Sequence, residues 1–474
     1  MIMNTEKVLI IGAGEAGREL HRELLKHFSQ RFQVVGYLDD DNDLIGKSVG
    51  GILVLGSISQ LSLFVKKFNV SEVFIAIPSA QGSLIREVIK SCEKQKVIFK
   101  IVPRLLEIVE GKVKLSQVRN IEVNDLLGRA LVKTDQRILA EEFKGKTVFL
   151  SGAAGSIGSE ISRQILQFNP KKIIAFDCWE SGLYNLNLDV TNQGNKNKLE
   201  CVVGNIQDYP KLERVIKFFH PDVIFHAAAY KHVPLMQKYP EEAVKNNIFG
   251  TENLVKAALA QRVKKFINIS TDKAVDPTSI MGTTKLIAEK IISQANQSGI
   301  TKFCSVRFGN VLDSQGSVVP TFKKQIAQGG PVTITHKDMT RYFMTIPEAV
   351  QLVLNASLLV KEGGEIFVLD MGEPVKIAEL ANLMIRLAGF IPEKEIPIKY
   401  VGIRPGEKMN EKLTMAHEAM RKTNHSKIFV IKPDLQMVNI TDLLDDFRSA
   451  IIQNEKEIIL QLLKTAAPNL KKLG

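Results

Sequence analysis

Short runs rich in Val, Ile and Phe alternate along this chain with stretches of helical period, the pattern of parallel strands joined by helices. Lys7–Ile11 (KVLII) predicts a strand, Gly12–Gly17 a glycine turn, and Arg18–Phe28 a helix with Leu20, Leu24, Leu25 and Phe28 on one face. The run QVVGYLDDD predicts a second strand ending in three acids, Asp39–Asp41. EVFIAIP and VIFKIVP predict two more buried strands, closed by Pro78 and Pro103, because proline cannot continue a ladder hydrogen bond. At Lys146 the pattern begins again: KTVFLSGAAGSIGSE repeats strand, glycine turn and a helix starting near Ser159. The expected fold class is therefore α/β, with two tandem Rossmann-like, doubly wound parallel-sheet units. The expected domains are residues 1–117, a linker 118–145 containing RILAEEFKGK, a second domain 146–439, and a tail 440–474 with the apolar spacing of a packing helix.

Composition narrows the function classes. A chain of 474 residues, 45% hydrophobic and 24% charged, exceeds what one core normally organises, which agrees with two units. Lys+Arg 63 against Asp+Glu 51 gives a net charge of +12, which favours anionic partners. No basic stripe is interleaved with aromatics, so nucleic acid is not expected. Peripheral association with an anionic membrane surface is one use for charge that no motif employs. Cys92, Cys178, Cys201 and Cys304 show no CxxC spacing, so neither a metal site nor a disulfide framework is expected, and the compartment reads as reducing and cytoplasmic. The N-terminus has no secretory pattern, and stretches such as VFIAIP and DVIFHAAAY fall far short of the roughly 20 apolar residues needed to cross a bilayer.

The second glycine turn carries the stronger chemical signal. Gly152, Gly155 and Gly158 form GxxGxxG between a strand and a helix, where backbone N–H groups and the helix N-terminus can approach a pyrophosphate. Asp177 ends the next strand, KKIIAFD, where a carboxylate can accept hydrogen bonds from ribose hydroxyls. That acid favours NAD over NADP, since it would repel a 2′-phosphate.

These segments, with HAAAYKHVPLM, NNIFGTENL, STDKAVDPTSIMGTTK, RFGNVLDSQGSVVP, TRYFMTIPEA and RPGEK, resemble the extended short-chain dehydrogenase/reductase superfamily. Within it, the chain is similar to the polysaccharide-biosynthesis nucleotide-sugar 4,6-dehydratases, including UDP-N-acetylglucosamine 4,6-dehydratases. The linker's NDLLGR looks like the same family's lead-in. The resemblance implies a small C-terminal substrate-binding part, a homo-oligomer, and a cofactor site of Gly152, Gly155, Ser156, Ile157, Gly158, Asp177, Asn205, Ile206, Ala227, Ala228, Ala229 and Lys285. It also implies that Asn246 or Asn247 supports the active-site backbone. Asn205 stands where relatives commonly carry an Asp.

A 4,6-dehydratase oxidises C4 of a hexose, takes the C5 proton, expels the C6 hydroxyl and returns hydride to C6, so it needs an acid beside C6 and a base beside C5. By resemblance Asp272 is the acid and Lys273 the base, at the end of the strand KKFINIS. A lysine base needs burial or a neighbouring cation to make it partly neutral, and Lys285 is the expected neighbour. Met281 is the departure: a tyrosine stands four residues before the active-site lysine in the superfamily at large, and a thioether cannot take its proton. The long membrane-linked dehydratases resemble this chain in carrying methionine there. Thr271 with a water held by Lys285, or Asp272 in both steps, then handles the O4 proton. Lys285 would bind the nicotinamide ribose and stabilise charge on O4.

Arg307, Asn310, Arg341, Arg404, Glu407 and Lys408 as a set favour a nucleotide diphosphate sugar, because the planar fork of arginine gives a diphosphate paired charge-assisted hydrogen bonds. By resemblance Asn310 and Arg341 hold the diphosphate of a UDP-sugar, and Arg404 and Glu407 complete the nucleotide pocket. Lys408 reads as a surface salt bridge. The long two-domain form with Met281 resembles the group that retains configuration at C5. The first turn, Gly12, Gly14 and Gly17 with Asp39–Asp41, looks like the nucleotide-binding-like domain of the same dehydratases. It also resembles the small Rossmann domain of some sugar acyltransferases. Relatives commonly carry transmembrane helices before it, which leaves a naturally soluble member or a truncated one. A nucleotide-sugar 4-epimerase and a non-catalytic NAD or nucleotide sensor remain as alternatives. An epimerase needs no C6 acid, and Met281 is the feature that suits a sensor.

Overall fold

The computed structural model describes residues 5–92, 95–102, 118–127, 135–432 and 440–472. Pro103 and the Gly128–Arg129 end of NDLLGR lie outside them. The chain divides into two compact units: Met1–Ala130 with Gly316–Lys337 and Lys376–Val401, and Leu131–Gln315 with Asp338–Val375 and Gly402–Gly474. Two later segments thus join the first unit. There the helix Ile377–Leu387 meets the helix Gly82–Ser91, and Lys90 pairs with Glu379 and Lys96 with Glu395.

In the first unit one sheet runs in the order Ser48–Val49, Ile52–Gly56, Phe32–Leu38, Glu6–Ile11, Glu72–Ile75, Ile98–Ile101, Arg119–Asn120. Its first helix spans Glu15–Phe28, starting earlier than the apolar period indicates, because the glycine turn hands over directly to helical backbone. Gly17, Leu20, His21 and Leu24 form its buried face, whereas Leu25, expected inside, is 54% exposed. The second strand stops at Leu38, so the acids lie beyond it. Asp39 turns back to accept the Ala13 N–H at 2.7 Å.

The second unit holds a larger sheet in the order Leu199–Val203, Lys172–Asp177, Thr147–Ser151, Val223–His226, Lys265–Ile269, Lys302–Arg307, Ile366–Leu369, Ile428–Ile431, Arg421–Lys422. Thr147–Ser151, Val223–His226 and most of Lys172–Asp177 are buried, as strands covered on both faces must be. Strand order reverses at Thr147–Ser151, which opens a crevice beyond the carboxyl ends of the strands. The expected single tail helix is two, Ile440–Ile452 and Lys456–Ala466, broken near Asn454 at φ 56°. Leu443, Leu444, Phe447, Ile459 and Leu463 share a core with Leu254, Ile287 and Ile291 of the helices Gly250–Ala260 and Ile280–Ala295. No helix among the described residues is long and apolar enough to cross a membrane.

Candidate active site

The glycine turn follows the strand Thr147–Ser151 directly. Gly152 has φ +70°, and a Cβ there would lie 2.5 Å from the Ala228 nitrogen. A Cβ on Gly158 would lie 2.1 Å from the Gly152 oxygen, so both positions exclude a side chain on packing grounds. Gly155 differs: its only neighbour is the Gly152 oxygen at 3.3 Å, and its φ of −71° suits any residue. A Cβ there would fill the approach to the N-terminus of the helix Ser156–Leu166, which begins at Ser156 rather than near Ser159 and has no side-chain cap. Asp177 Oδ2 accepts the Ala154 N–H at 2.9 Å and Oδ1 the Trp179 N–H at 2.9 Å, which fixes the carboxylate at the turn. Ala227–Ala229 follow the neighbouring strand and line the turn through Ala227 and Ala228. Asn205 is exposed and caps its own loop, accepting the Gln207 N–H at 2.9 Å, while Ile206 is buried. These residues fit a dinucleotide: a cradle for pyrophosphate, an uncapped helix end and a carboxylate for the ribose diol.

The turn Thr271–Lys273 sits where the strand Lys265–Ile269 ends in the crevice. Asp272 is fully buried; its Oδ1 accepts from Thr271 Oγ1 at 2.9 Å and Lys273 Nζ at 3.0 Å, while Oδ2 has no hydrogen-bond partner. Lys273 Nζ also donates to Asn310 Oδ1 at 3.0 Å, which brings a residue expected at the diphosphate into the acid–base cluster. Burial alone would loosen the proton on Lys273, but Asp272 and then Glu411 outweigh it and hold the ammonium above its usual range. The opposing cation is Arg341, not Lys285 as expected.

Lys285 lies on the helix Ile280–Ala295, buried, with Nζ donating to the Ile269 carbonyl at 2.8 Å. Burial pushes it down to about 8, against an upward pull from Glu289. Met281, one turn earlier, is 3% exposed and packed in the apolar core. Gly282 lets this helix press onto the catalytic turn, since a Cβ there would meet the Lys273 carbonyl oxygen at 2.4 Å. Of the two candidate asparagines, Asn247 holds the backbone: it accepts the Tyr230 N–H at 2.8 Å, donates to the Tyr230 carbonyl at 3.0 Å and to Thr284 Oγ1 at 3.0 Å. It sits in a π-helical stretch, Val244–Phe249, a distortion frequent at functional sites.

Arg307 does not face a ligand. It is 1% exposed and forked onto Glu289 at 2.8 and 2.7 Å, with Glu418 at 2.7 Å on its other nitrogen. Glu289 also accepts from Ser270 Oγ at 2.6 Å, so the network ends one residue before Thr271. Arg341 is mostly buried, giving Nη1 to the Thr340 and Met409 carbonyls at 2.7 and 3.2 Å. Arg404 is exposed, and its N–H meets the Glu407 carboxylate at 3.4 Å. Lys408, expected at the surface, is inside: Nζ donates to the Val275 carbonyl at 2.7 Å and lies 3.7 Å from Glu411. Glu411, absent from the sequence reading, has Oε1 3.9 Å from both Lys273 and Arg341.

Sheet order, glycine turn and the lysine helix define an extended short-chain dehydrogenase/reductase. The model of the family described as polysaccharide biosynthesis protein matches residues 148–433, and one described as CoA-binding domain matches residues 2–103. The capsular polysaccharide biosynthesis protein CapD of Staphylococcus aureus is 42% identical over 448 residues, 93% of this chain and 74% of that protein. A UDP-N-acetylglucosamine 4,6-dehydratase (inverting) of Campylobacter jejuni is 33% identical over 302 residues, 63% of this chain and 86% of that protein. The X-ray structure of Pen from Bacillus thuringiensis superposes with TM-score 0.57 at 35% identity, covering 63% of this chain and 90% of that one. The chain belongs to the polysaccharide biosynthesis protein family, the nucleotide-sugar dehydratases of that superfamily.

Proposed function

We propose that this enzyme is an NAD-dependent 4,6-dehydratase that converts UDP-N-acetylglucosamine to the UDP-4-keto-6-deoxy sugar used in surface glycans. The observation that carries the reading is the Asp272–Lys273 pair, 3.0 Å apart at the crevice end of the strand Lys265–Ile269. NAD, held by the Gly152–Gly158 turn, Asp177, Ala227–Ala229 and Lys285, would accept hydride from C4 and return it to C6.

The residues support the following proton path. Thr271 takes the O4 proton and passes its own to Asp272 Oδ1 across the 2.9 Å hydrogen bond, so C4 oxidation loads the acid. A neutral Asp272 no longer holds the Lys273 proton, and the half-buried amine releases it to water. Neutral Lys273 then takes the C5 proton, and Asp272 protonates O6 as water departs. Once hydride reaches C6, Lys273 returns its proton to C5, Asp272 is again a carboxylate, and the amine takes back from water the proton it had released, which restores the ammonium of the resting site. Lys285 stabilises charge developing on O4. Asn310 and Arg341 orient the diphosphate, and Arg404 and Glu407 reach the nucleotide. The first unit repeats the glycine turn and its acid, and we read residues 1–117 as a nucleotide-binding-like domain outside the chemistry, 118–145 as linker and 146–439, apart from the segments Gly316–Lys337 and Lys376–Val401 that join the first unit, as the catalytic domain.

Incubation with UDP-N-acetylglucosamine in deuterated water, followed by NMR, tests the reading. The expected product has a new C6 methyl and deuterium at C5, and the same spectrum reports C5 configuration. A C4 epimer without exchange would establish the epimerase, and no turnover despite NAD binding would establish a sensor. Because Met281 is core and not proton acceptor in this path, Met281→Ala is expected to keep turnover within about tenfold of the parent. A larger loss in a folded Met281→Ala variant would return the O4 step to that helix position.

A further inference from the structure

Glu411 is a 7% exposed carboxylate set among cations of the cleft. Lys273 and Arg341 approach it at 3.9 Å and Lys408 at 3.7 Å, all beyond hydrogen-bond length, and its Oε2 is buried without a hydrogen-bond partner. The cations are committed elsewhere: Lys273 to Asp272 and Asn310, Lys408 to the Val275 carbonyl, and Arg341 Nη1 to two carbonyls. Glu411 therefore acts on them through charge alone. An isolated buried carboxylate is costly, and it persists here because cations surround it.

We propose that Glu411 is a positioning residue, the shared counter-ion that gathers Lys273, Arg341 and Lys408 and gives up Arg341 and Lys408 to the diphosphate of the incoming nucleotide sugar. The inference rests on the nucleotide-sugar reading of this site. A carboxylate and a diphosphate compete for the same cations, so Glu411 weakens nucleotide binding while it aligns the cluster for the reaction. Diphosphate binding also changes what Lys273 faces. Asp272 and Glu411 favour its charged form, Arg341 opposes it, and Lys408 adds a second cation within reach. Removing the Glu411 charge lowers the proton affinity of Lys273, so the rising limb of the pH–rate profile moves to lower pH.

The test compares the parent chain with its Glu411→Gln and Glu411→Asp variants. It uses calorimetry with UDP and pH–rate profiles with UDP-N-acetylglucosamine. Glu411→Gln is expected to bind UDP about three- to tenfold more tightly, to lose at least about tenfold in kcat, and to shift the rising limb down by about one pH unit. Glu411→Asp keeps the charge and is expected to return the limb and the UDP affinity toward those of the parent. Unchanged or weaker UDP binding by folded Glu411→Gln, with an unshifted limb, overturns the proposal, since a merely structural carboxylate behaves that way. A parent that binds UDP yet turns nothing over sinks the dehydratase reading alone, because the UDP comparison still decides the role of Glu411. A parent that does not bind UDP overturns both.

Discussion

Asp272→Asn is expected to cut turnover on UDP-N-acetylglucosamine by about 10²–10⁴-fold, the usual contribution of a positioned proton donor. The carboxamide keeps the shape and can still accept from Thr271 and Lys273, which approach Oδ1 at 2.9 and 3.0 Å. It cannot take up a proton from Thr271 or give one to O6. UDP affinity, which depends on the cations and not on this carboxyl, should stay within a few-fold of the parent. Lys273→Ala is expected to fail equally, and it should also abolish deuterium incorporation at C5, because no amine remains to exchange the proton. Near-parental kcat in either variant would remove the pair from the chemistry. The contrast with Met281→Ala, expected to be mild, separates loss of the acid–base pair from general damage to the crevice.

Arg307→Ala is expected to destabilise the protein by about 3–5 kcal/mol, measured as a fall in the denaturant midpoint. Burial works against the guanidinium's charge, but Glu289 and Glu418 more than offset it and hold the proton firmly. Both carboxylates are themselves buried, at 2% and 6% side-chain exposure, so deleting the cation leaves two charges with no route to water. Adding Glu289→Gln and Glu418→Gln to the same chain should recover part of the loss by removing the stranded charge. Turnover should fall with stability, because Glu289 is the acceptor that fixes Ser270 beside Thr271. Full stability in Arg307→Ala would show that the network contributes nothing to folding.

Much of the fold could be read along the chain, because strand burial and glycine turns are local signals. The runs TVFLS and KIIAFD became the strands Thr147–Ser151 and Lys172–Asp177, and GxxGxxG lies between strand and helix as expected. Errors fell where neighbours decide. Leu25 looked like a core residue by spacing and is exposed, since the buried stripe of its helix is narrow. Arg307 looked like a diphosphate ligand, yet its partners Glu289, on the helix Ile280–Ala295, and Glu418, in a turn, lie 18 and 111 residues away and meet it only once the chain is folded. Lys408 looked like a surface charge, and Glu411 was not noticed, because a buried charge cluster leaves no periodic trace.

The sequence by itself determined the α/β class, the two glycine turns, the family resemblance and the adjacent Thr271, Asp272 and Lys273. These depend on residue type and on neighbours within a few positions, which set backbone conformation and local chemistry. Only the tertiary structure decided which charges face one another. It paired Lys273 with Asp272, Asn310 and Glu411, loosened the proton of Lys285 by burial, and turned Arg307 inward. Coulomb energy and desolvation depend on distance and depth in space, and neither is written in the order of the residues.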